Sequence, residues 1–307
     1  MDLQAIEIGK QALESGENIF EALRELIAKG GNTEEIIEIA YELQAGSYIQ
    51  VAKSRKEELE IFAEEYAGLL QPYLNDKSIL LDVGSGELTT LSLVLDKLSV
   101  SPSQVIGTDI SWSRLRLGLD FVNGYFEEDP PPLRVISCEM SSLPFESKSI
   151  DVTISNHALE PNGLDVASVM KELFRVTKNH LVLFEPYYEG SSQEVKNRMD
   201  HHGYFKGIEK IVEDLGGSIE KITRLENPLN PLNPTHCFVV APPAAKAGTE
   251  GDSSRFAGEN LTVPGTDSPI LLREGFYHSS FFGLCFPILE GIPILRVKRS
   301  IFASSMK

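Results

Sequence analysis

Asp82, Gly84 and Gly86 have the residue types and the spacing of a small-ligand site. The apolar residues before Asp82 predict a buried strand that ends there, and Leu88–Leu98 predicts a helix directly after the glycines. Glycines let a backbone approach a ligand where side chains would clash, and the amides at a helix start donate hydrogen bonds. A carboxylate at the strand end can accept from a ligand ammonium group. The dinucleotide fingerprint has a third glycine where this chain has Thr89, which disfavours a nicotinamide or flavin cofactor.

A second acid, Asp109, lies 27 residues after Asp82, at the end of another apolar run. An acid at the end of the second strand can accept hydrogen bonds from both ribose hydroxyls of a nucleoside. Capping of a helix or a turn is the alternative interpretation of Asp109.

Three further polar residues follow the fourth and fifth predicted strands, where sheets of this kind place their chemistry: His157, Glu160 and Glu185. His157 is the first choice as a general base or as an orienter of the acceptor, because imidazole titrates near neutral pH. A histidine hydrogen-bonded to backbone is the alternative, and Glu185 can equally be a structural acceptor. His201 can enter the same pocket from a later loop.

These segments together resemble the motifs of class I S-adenosylmethionine-dependent methyltransferases. The acid with the GSGE segment at 84–87 is similar to the first motif of that family. The segment CEMSSLPF at 138–145 is similar to its adenine-contacting segment, although Asp is the usual acid where this chain has Glu139. The resemblance implies an S-adenosyl-L-methionine cofactor bound by nine residues: Asp82, Gly84, Ser85, Gly86, Asp109, Ile110, Glu139, Met140 and Asn156.

The resemblance also implies the fold class, which is α/β with a Rossmann-like, seven-stranded class I methyltransferase sheet. It covers about residues 76–242, the predicted cofactor-binding domain. Residues 1–75 predict a helical extension or lid, and residues 243–258 predict a linker that is rich in small residues. Residues 259–307 predict a small β-rich domain.

Two further predictions concern the N-terminal extension. Asn32 and Glu35 predict a capping box at a helix start. Tyr48, which with Tyr41 flanks a Gly-Ser break, is interpreted as a lid residue that reaches the catalytic site. A core or interface position of both tyrosines is the alternative. Farther along the chain, the proline-rich turn at 226–235 is predicted to overhang the active site.

The segment FPILEGIPIL at 286–295 resembles the tail of the short zinc-ribbon-like subunits that partner several methyltransferases. The resemblance implies a domain fused in cis that packs against the catalytic domain or mediates a homodimer. Zinc-bearing members carry a Cys-Pro-x-Cys knuckle where this chain has Val263–Thr266, so we expect no metal. A β-hairpin appendage without this ancestry is the alternative.

Composition narrows the functional class. A formal charge of −17 over 307 residues disfavours a protein that mainly binds polyanions, so nucleic acid is an unexpected partner. No apolar run is long enough to span a membrane, and the first residues do not resemble a signal peptide. Three scattered cysteines indicate a reducing compartment, and we expect a cytoplasmic protein.

The sequence therefore predicts a methyltransferase that acts on oxygen or nitrogen of a small polar metabolite. The zinc-ribbon-like tail leaves an RNA or protein acceptor open. A methyltransferase-like assembly partner without catalytic activity is the alternative from another functional class.

Overall fold

The computed structural model describes residues 2–27, 32–126, 130–162, 165–244 and 260–306. Residues 245–258 of the predicted linker lie outside these ranges.

The N-terminal extension is helical: α1 Leu3–Ser15, α2 Ile19–Ile27, α3 Glu34–Leu43, α4 Ser47–Ser54 and α5 Lys56–Leu70. Helices α1 to α3 bury a small apolar cluster of their own, which includes Leu23 and Ile36. Helix α5 instead buries Phe62 and Tyr66 in the main core, and the Tyr66 ring stacks on that of Phe184 at a centroid distance of 3.4 Å. The extension is thus anchored to the rest of the molecule mainly through α5.

The predicted capping box of Asn32 and Glu35 is wrong. Helix α3 is capped by Thr33, whose hydroxyl oxygen accepts from the Ile36 amide at 3.4 Å. Asn32 Nδ2 donates to the Pro161 carbonyl at 3.3 Å, and a Glu35 carboxylate oxygen accepts from the Asp2 amide at 2.9 Å. Contacts distant in sequence outcompete the local pairing.

A central sheet of seven strands carries the core: β1 Ile79–Val83, β2 Gln104–Asp109, β3 Leu133–Ser137, β4 Ile150–Asn156, β5 Thr177–Pro186, β6 Ser218–Arg224 and β7 Thr235–Ala241. Their order is β3-β2-β1-β4-β5-β7-β6, and only β7 runs antiparallel to its neighbours. Strand β1 is buried along its whole length, as a central parallel strand covered on both faces should be. The predicted fold class is confirmed.

Five helices of the described chain follow these strands: α6 Thr89–Lys97, α7 Trp112–Tyr125, α8 Val166–Val176, α9 Gln193–His202 and α10 Ile208–Asp214. Parallel strands place their carboxyl ends at one edge of the sheet, so Asp82, Asp109 and Asn156 end three strands at the same edge. Among the described residues, no helix is long and apolar enough to cross a membrane.

The C-terminal residues form a small antiparallel sheet: β8 Leu271–Arg273, β9 Phe276–Ser279, β10 Leu284–Leu289, β11 Ile292–Pro293 and β12 Ile301–Phe302. Phe286 and Leu295 are fully buried in the apolar cluster that also contains Leu81 and Leu183 of the central sheet, so the small sheet packs against the central one. Residues Val263–Thr266 form a turn in which the Thr266 amide donates to the Val263 carbonyl at 3.0 Å. No group of three potential metal ligands occurs within the described ranges.

Candidate active site

A cavity of about 480 Å³ opens at the carboxyl edge of the central sheet. Its walls come from the β1–α6 turn, the ends of β2 and β4, and the segment after β3. Helices α3 and α4 and residues Leu229, Asn230 and Asn233 of the proline-rich turn cover it from the other side. All nine predicted cofactor-binding residues line this cavity, and so do Tyr48 and His157.

The glycine turn needs its glycines for two reasons. Gly84 and Gly86 have φ angles of +71° and +54°, which residues with a Cβ rarely adopt. A Cβ on Gly84 would lie 2.4 Å from Ala158 Cβ, and one on Gly86 would lie 2.6 Å from Arg114 Nη2. The turn therefore leaves its backbone exposed to the cavity, because a side chain at either glycine would clash with Ala158 or Arg114.

Two buried carboxyl groups face this turn. Burial raises the pKa of Asp82 to about 8; a hydrogen bond from Ser85 opposes this shift, and Asp109 and Glu185 reinforce it. The Asp109 carboxylate accepts from the Gly86 amide at 2.9 Å and from the Ser111 amide at 2.8 Å. Burial also raises the pKa of Asp109, although the Arg114 guanidinium lowers it. A cationic ligand group would favour the ionised form of both acids.

His157 follows β4 with a φ of +51°, held by its own amide, which donates to the Phe184 carbonyl at 2.9 Å. Its Nε2 lies 2.7 Å from Thr235 Oγ1. Its Nδ1 lies 3.3 Å from Glu160 Oε2 and 3.1 Å from Asn233 Nδ2. A neutral ring can accept at Nδ1 from Asn233, whereas a protonated ring can donate there to Glu160.

The environment of His157 favours its protonated form. Burial lowers the pKa of this imidazole, but Glu160 raises it by charge and by hydrogen bonding, and Glu185 raises it further. The net effect is a pKa above the ordinary value of histidine. A histidine with this environment can take up a proton near neutral pH.

Glu185 lies behind this group and does not line the cavity. Its Oε1 accepts from Ser155 Oγ at 2.8 Å and from the Ala158 and Leu159 amides at 3.0 and 3.1 Å. Burial raises its pKa to about 7. These bonds fix the chain on both sides of His157, so Glu185 is placed to position that residue.

The structure does not bring His201 to the cavity. This histidine lies on α9 with 69% of its side chain exposed, and its Nε2 is 3.3 Å from Glu21 Oε1. Its helix runs outside the strand ends, so the imidazole points to the surface.

Two residues without a predicted role, Arg114 and Glu87, connect the lid to the glycine turn. The Arg114 guanidinium lies between the rings of Tyr41 and Tyr48, at 4.8 and 4.6 Å from their centroids. Glu87 Oε1 accepts from the Gly46 amide at 3.0 Å, and its Oε2 accepts from the Ile49 amide at 2.7 Å.

Glu87 therefore caps the start of α4 from another part of the chain. Similarly, Glu42 of α3 accepts from the hydroxyls of Ser111 and Ser113. Of these residues, only Glu87 is part of a recognisable motif, as the acid of the GSGE segment. No local sequence pattern predicts its contacts with the lid or those of Glu42.

Comparison with known proteins identifies the domain that carries this cavity. Residues 81–184 match the model of a family described as methyltransferase domain. A search of curated proteins finds no match.

Several solved structures are similar to part of the chain. A chain from the complex of the Haloferax volcanii Trm112 methyltransferase activator with a methyltransferase has a TM-score of 0.50 at 14% identity, over 64% of this chain and 96% of that one. Geranyl diphosphate C-methyltransferase from Streptomyces coelicolor has a TM-score of 0.44 at 13% identity, over 58% and 75%. An Aquifex aeolicus SAM-dependent methyltransferase has a TM-score of 0.40 at 16% identity, over 57% and 88%. At these identities the likeness concerns the fold.

Proposed function

We propose that the chain, whose residues 81–184 match a methyltransferase domain, is a class I S-adenosylmethionine-dependent methyltransferase that methylates an oxygen or nitrogen atom of a small polar metabolite. The observation that carries the proposal is the covered cavity with His157 and its partners at the strand ends. A volume of about 480 Å³ lies in the range of pockets for one drug-sized ligand, roughly 300–1,000 Å³. Because the cofactor takes much of that space, the acceptor must be small.

The lining residues fit the cofactor. Asp82 and Asp109 both line the cavity, and in this proposal Asp82 accepts from the methionyl ammonium group and Asp109 from the ribose hydroxyls. Asn156 Oδ1 is buried and has no hydrogen-bond partner in the described structure, so it can accept from a ligand. Glu139 and Met140 line the part of the cavity that suits the adenine ring. When bound, S-adenosylmethionine supplies a methyl group on a sulfonium sulfur, which is open to in-line attack.

His157 is the proposed proton acceptor. A hydroxyl acceptor must lose its proton to attack the methyl group, and an amine must arrive unprotonated. Neutral His157 can take that proton, and Glu160 then stabilises the imidazolium through its charge. Thr235 and Asn233 hold the two ring nitrogens, so they orient the imidazole. The lid helices exclude water from the reacting groups.

The overall charge of −17 also favours a small acceptor over a polyanion, because phosphate recognition needs clustered Lys and Arg. The test is incubation of the purified protein with a methyl-labelled cofactor and three separate acceptor pools: small metabolites, total RNA and protein. We expect label in the metabolite pool, and none there with Asp82→Ala. Label confined to RNA or protein would overturn the acceptor class. Failure to bind S-adenosylmethionine or S-adenosylhomocysteine in calorimetric titration would favour the assembly-partner alternative.

A further inference from the structure

Arg296 is a buried cation that joins three distant parts of the chain, with only 3% of its side chain exposed. Its Nε donates to Glu139 Oε1 at 3.1 Å, beside the cofactor cavity. Its two terminal nitrogens donate to the Glu38 carboxylate at 2.5 and 2.9 Å, and Nη2 also lies 3.3 Å from Glu34 Oε1. Glu34 and Glu38 belong to α3, so the C-terminal domain, the extension and the catalytic domain meet at one guanidinium.

The backbone next to Arg296 is fixed by the central sheet. The Leu295 amide donates to the Ser137 carbonyl at 2.9 Å, and Ile294 forms a parallel bridge with Ser137 at the end of the edge strand β3. Glu139 lies two residues after Ser137. Pairing along the sheet edge therefore brings Arg296 to Glu139, and the fully buried Leu295 anchors that pairing.

Two further cations of the C-terminal domain bind the two acids of α3. Lys298 Nζ lies 3.0 and 2.9 Å from the two carboxylate oxygens of Glu34. Arg299 Nη2 contacts both oxygens of Glu38 at 3.1 and 3.0 Å. Arg296 is thus the one cation that the described structure pairs with Glu139, and it orients that carboxylate directly.

Glu34 and Glu139 both line the cavity, and both contact the Arg296 guanidinium, at 3.3 and 3.1 Å. Burial raises the pKa of Glu139, the Glu34 carboxyl raises it further, and Arg296 lowers it. Two carboxyl groups side by side offer several acceptor positions to one donor group. The exocyclic amine of adenine has two hydrogens to donate, whereas the oxygen of a 6-oxopurine can only accept.

We propose that Glu34 is a second adenine-binding acid beside Glu139, and that Arg296 is a positioning residue that holds both, so that the site selects a 6-aminopurine. The proposal rests on the proposed function, in that the adenine ring must lie at Glu139. It makes the extension and the C-terminal domain parts of cofactor recognition. Cofactor affinity then depends on contacts far from the methyl group.

The test measures binding of S-adenosylhomocysteine and its 6-oxo analogue S-inosylhomocysteine to the full chain by calorimetry. A site built to accept from an amine should prefer the adenosyl compound by at least about 100-fold. Glu34→Gln should weaken S-adenosylhomocysteine binding about 10-fold and reduce the preference, because its amide can donate to the 6-oxo group. Arg296→Met should do the same, and Arg296→Lys should restore part of the loss.

Arg299→Met is the matched control, because Arg299 belongs to the same network but contacts only Glu38 and has 33% of its side chain exposed. We expect it to keep both the affinity and the preference. An unchanged preference in Glu34→Gln and Arg296→Met would overturn the proposal, since a purely structural role changes affinity without changing discrimination. Wild-type protein that binds neither compound would instead reject the cofactor site itself, and this inference with it.

Discussion

The two ends of the cavity differ in how completely their polar groups are paired. At the end that holds Glu34 and Glu139, each of these acids contacts a cation from the C-terminal domain. At the end that holds His157, Asn233 Oδ1 is buried without a hydrogen-bond partner in the described structure. An unpaired buried polar atom costs about 1–3 kcal/mol, so such atoms persist where a ligand can satisfy them or where function needs them.

This difference in pairing suggests that the two ends of the cavity have different functions. An end with paired charges is fixed before the nucleoside arrives, so little ordering is needed on binding. An end with spare acceptors keeps its hydrogen-bonding capacity for the acceptor and for groups that change charge. Substitutions at the first end should therefore change cofactor affinity, whereas those at the second should change turnover.

The largest expected effect is that of Asp109→Ala. This change removes both ribose acceptors and the partner of the Gly86 amide, so S-adenosylhomocysteine should bind at least about 100-fold more weakly. Calorimetric titration measures the loss, with circular dichroism as the check on folding. A folded variant with wild-type affinity would remove Asp109 from the cofactor site.

His157→Ala tests the other end. Loss of the proton acceptor should lower kcat by about 100- to 10,000-fold while the affinity for S-adenosylhomocysteine stays unchanged. Single-turnover rates with the identified acceptor, together with a cofactor titration, separate the two quantities. Equal loss of kcat and cofactor affinity would mean that the two ends are not separable, and the comparison would fail.

Glu185→Gln tests the raised pKa of the buried Glu185 carboxyl through the pH dependence of stability. The native carboxyl titrates at about 7 instead of the ordinary 4.5, so between these values the native state binds more protons than the unfolded state. Its contribution to stability therefore falls as pH rises through this window, by about 3 kcal/mol in total. The variant should lack that part of the loss, as urea unfolding from pH 4.5 to 8 can measure. Parallel curves for both proteins would contradict the raised pKa.

The smallest effect is expected from His201→Ala, since this side chain is exposed and contacts a surface carboxylate and the neighbouring His202 ring. Activity and cofactor affinity should stay within about twofold of wild type. A large loss of kcat would instead mean that His201 is a catalytic residue and that the reaction takes place nearer to α9.

The central sheet was predictable because its signals are local. The apolar run before Asp82, the glycine turn and the acid at Asp109 each follow from a few adjacent residues, and the structure places all nine predicted cofactor residues in one cavity. Their individual roles stay predictions. The site positions come from the strand ends, which parallel topology gathers at one edge.

The parts of the site that could not be predicted depend on contacts between residues distant in sequence, which no local pattern encodes. Arg296 reaches Glu139 from 157 positions away, and Thr235 reaches His157 from 78 positions away. Asn32 leaves its predicted cap for the Pro161 carbonyl. Such partners are chosen by how the elements pack, and several alternatives cost nearly the same energy until the tertiary structure forms.

The Glu87 cap on α4 has a consequence for how the acceptor preference can change during evolution. Glu87 lies in the glycine turn, yet its two partners in the lid are backbone amides, which every residue except proline supplies. This attachment therefore does not depend on which side chains α4 carries, whereas the contact of Arg114 with the ring does require Tyr48. Gly46, with a φ of +98°, is constrained by its conformation. Side chains of α4 other than Tyr48 can thus change the acceptor preference without loss of the Glu87 attachment or of the cofactor site.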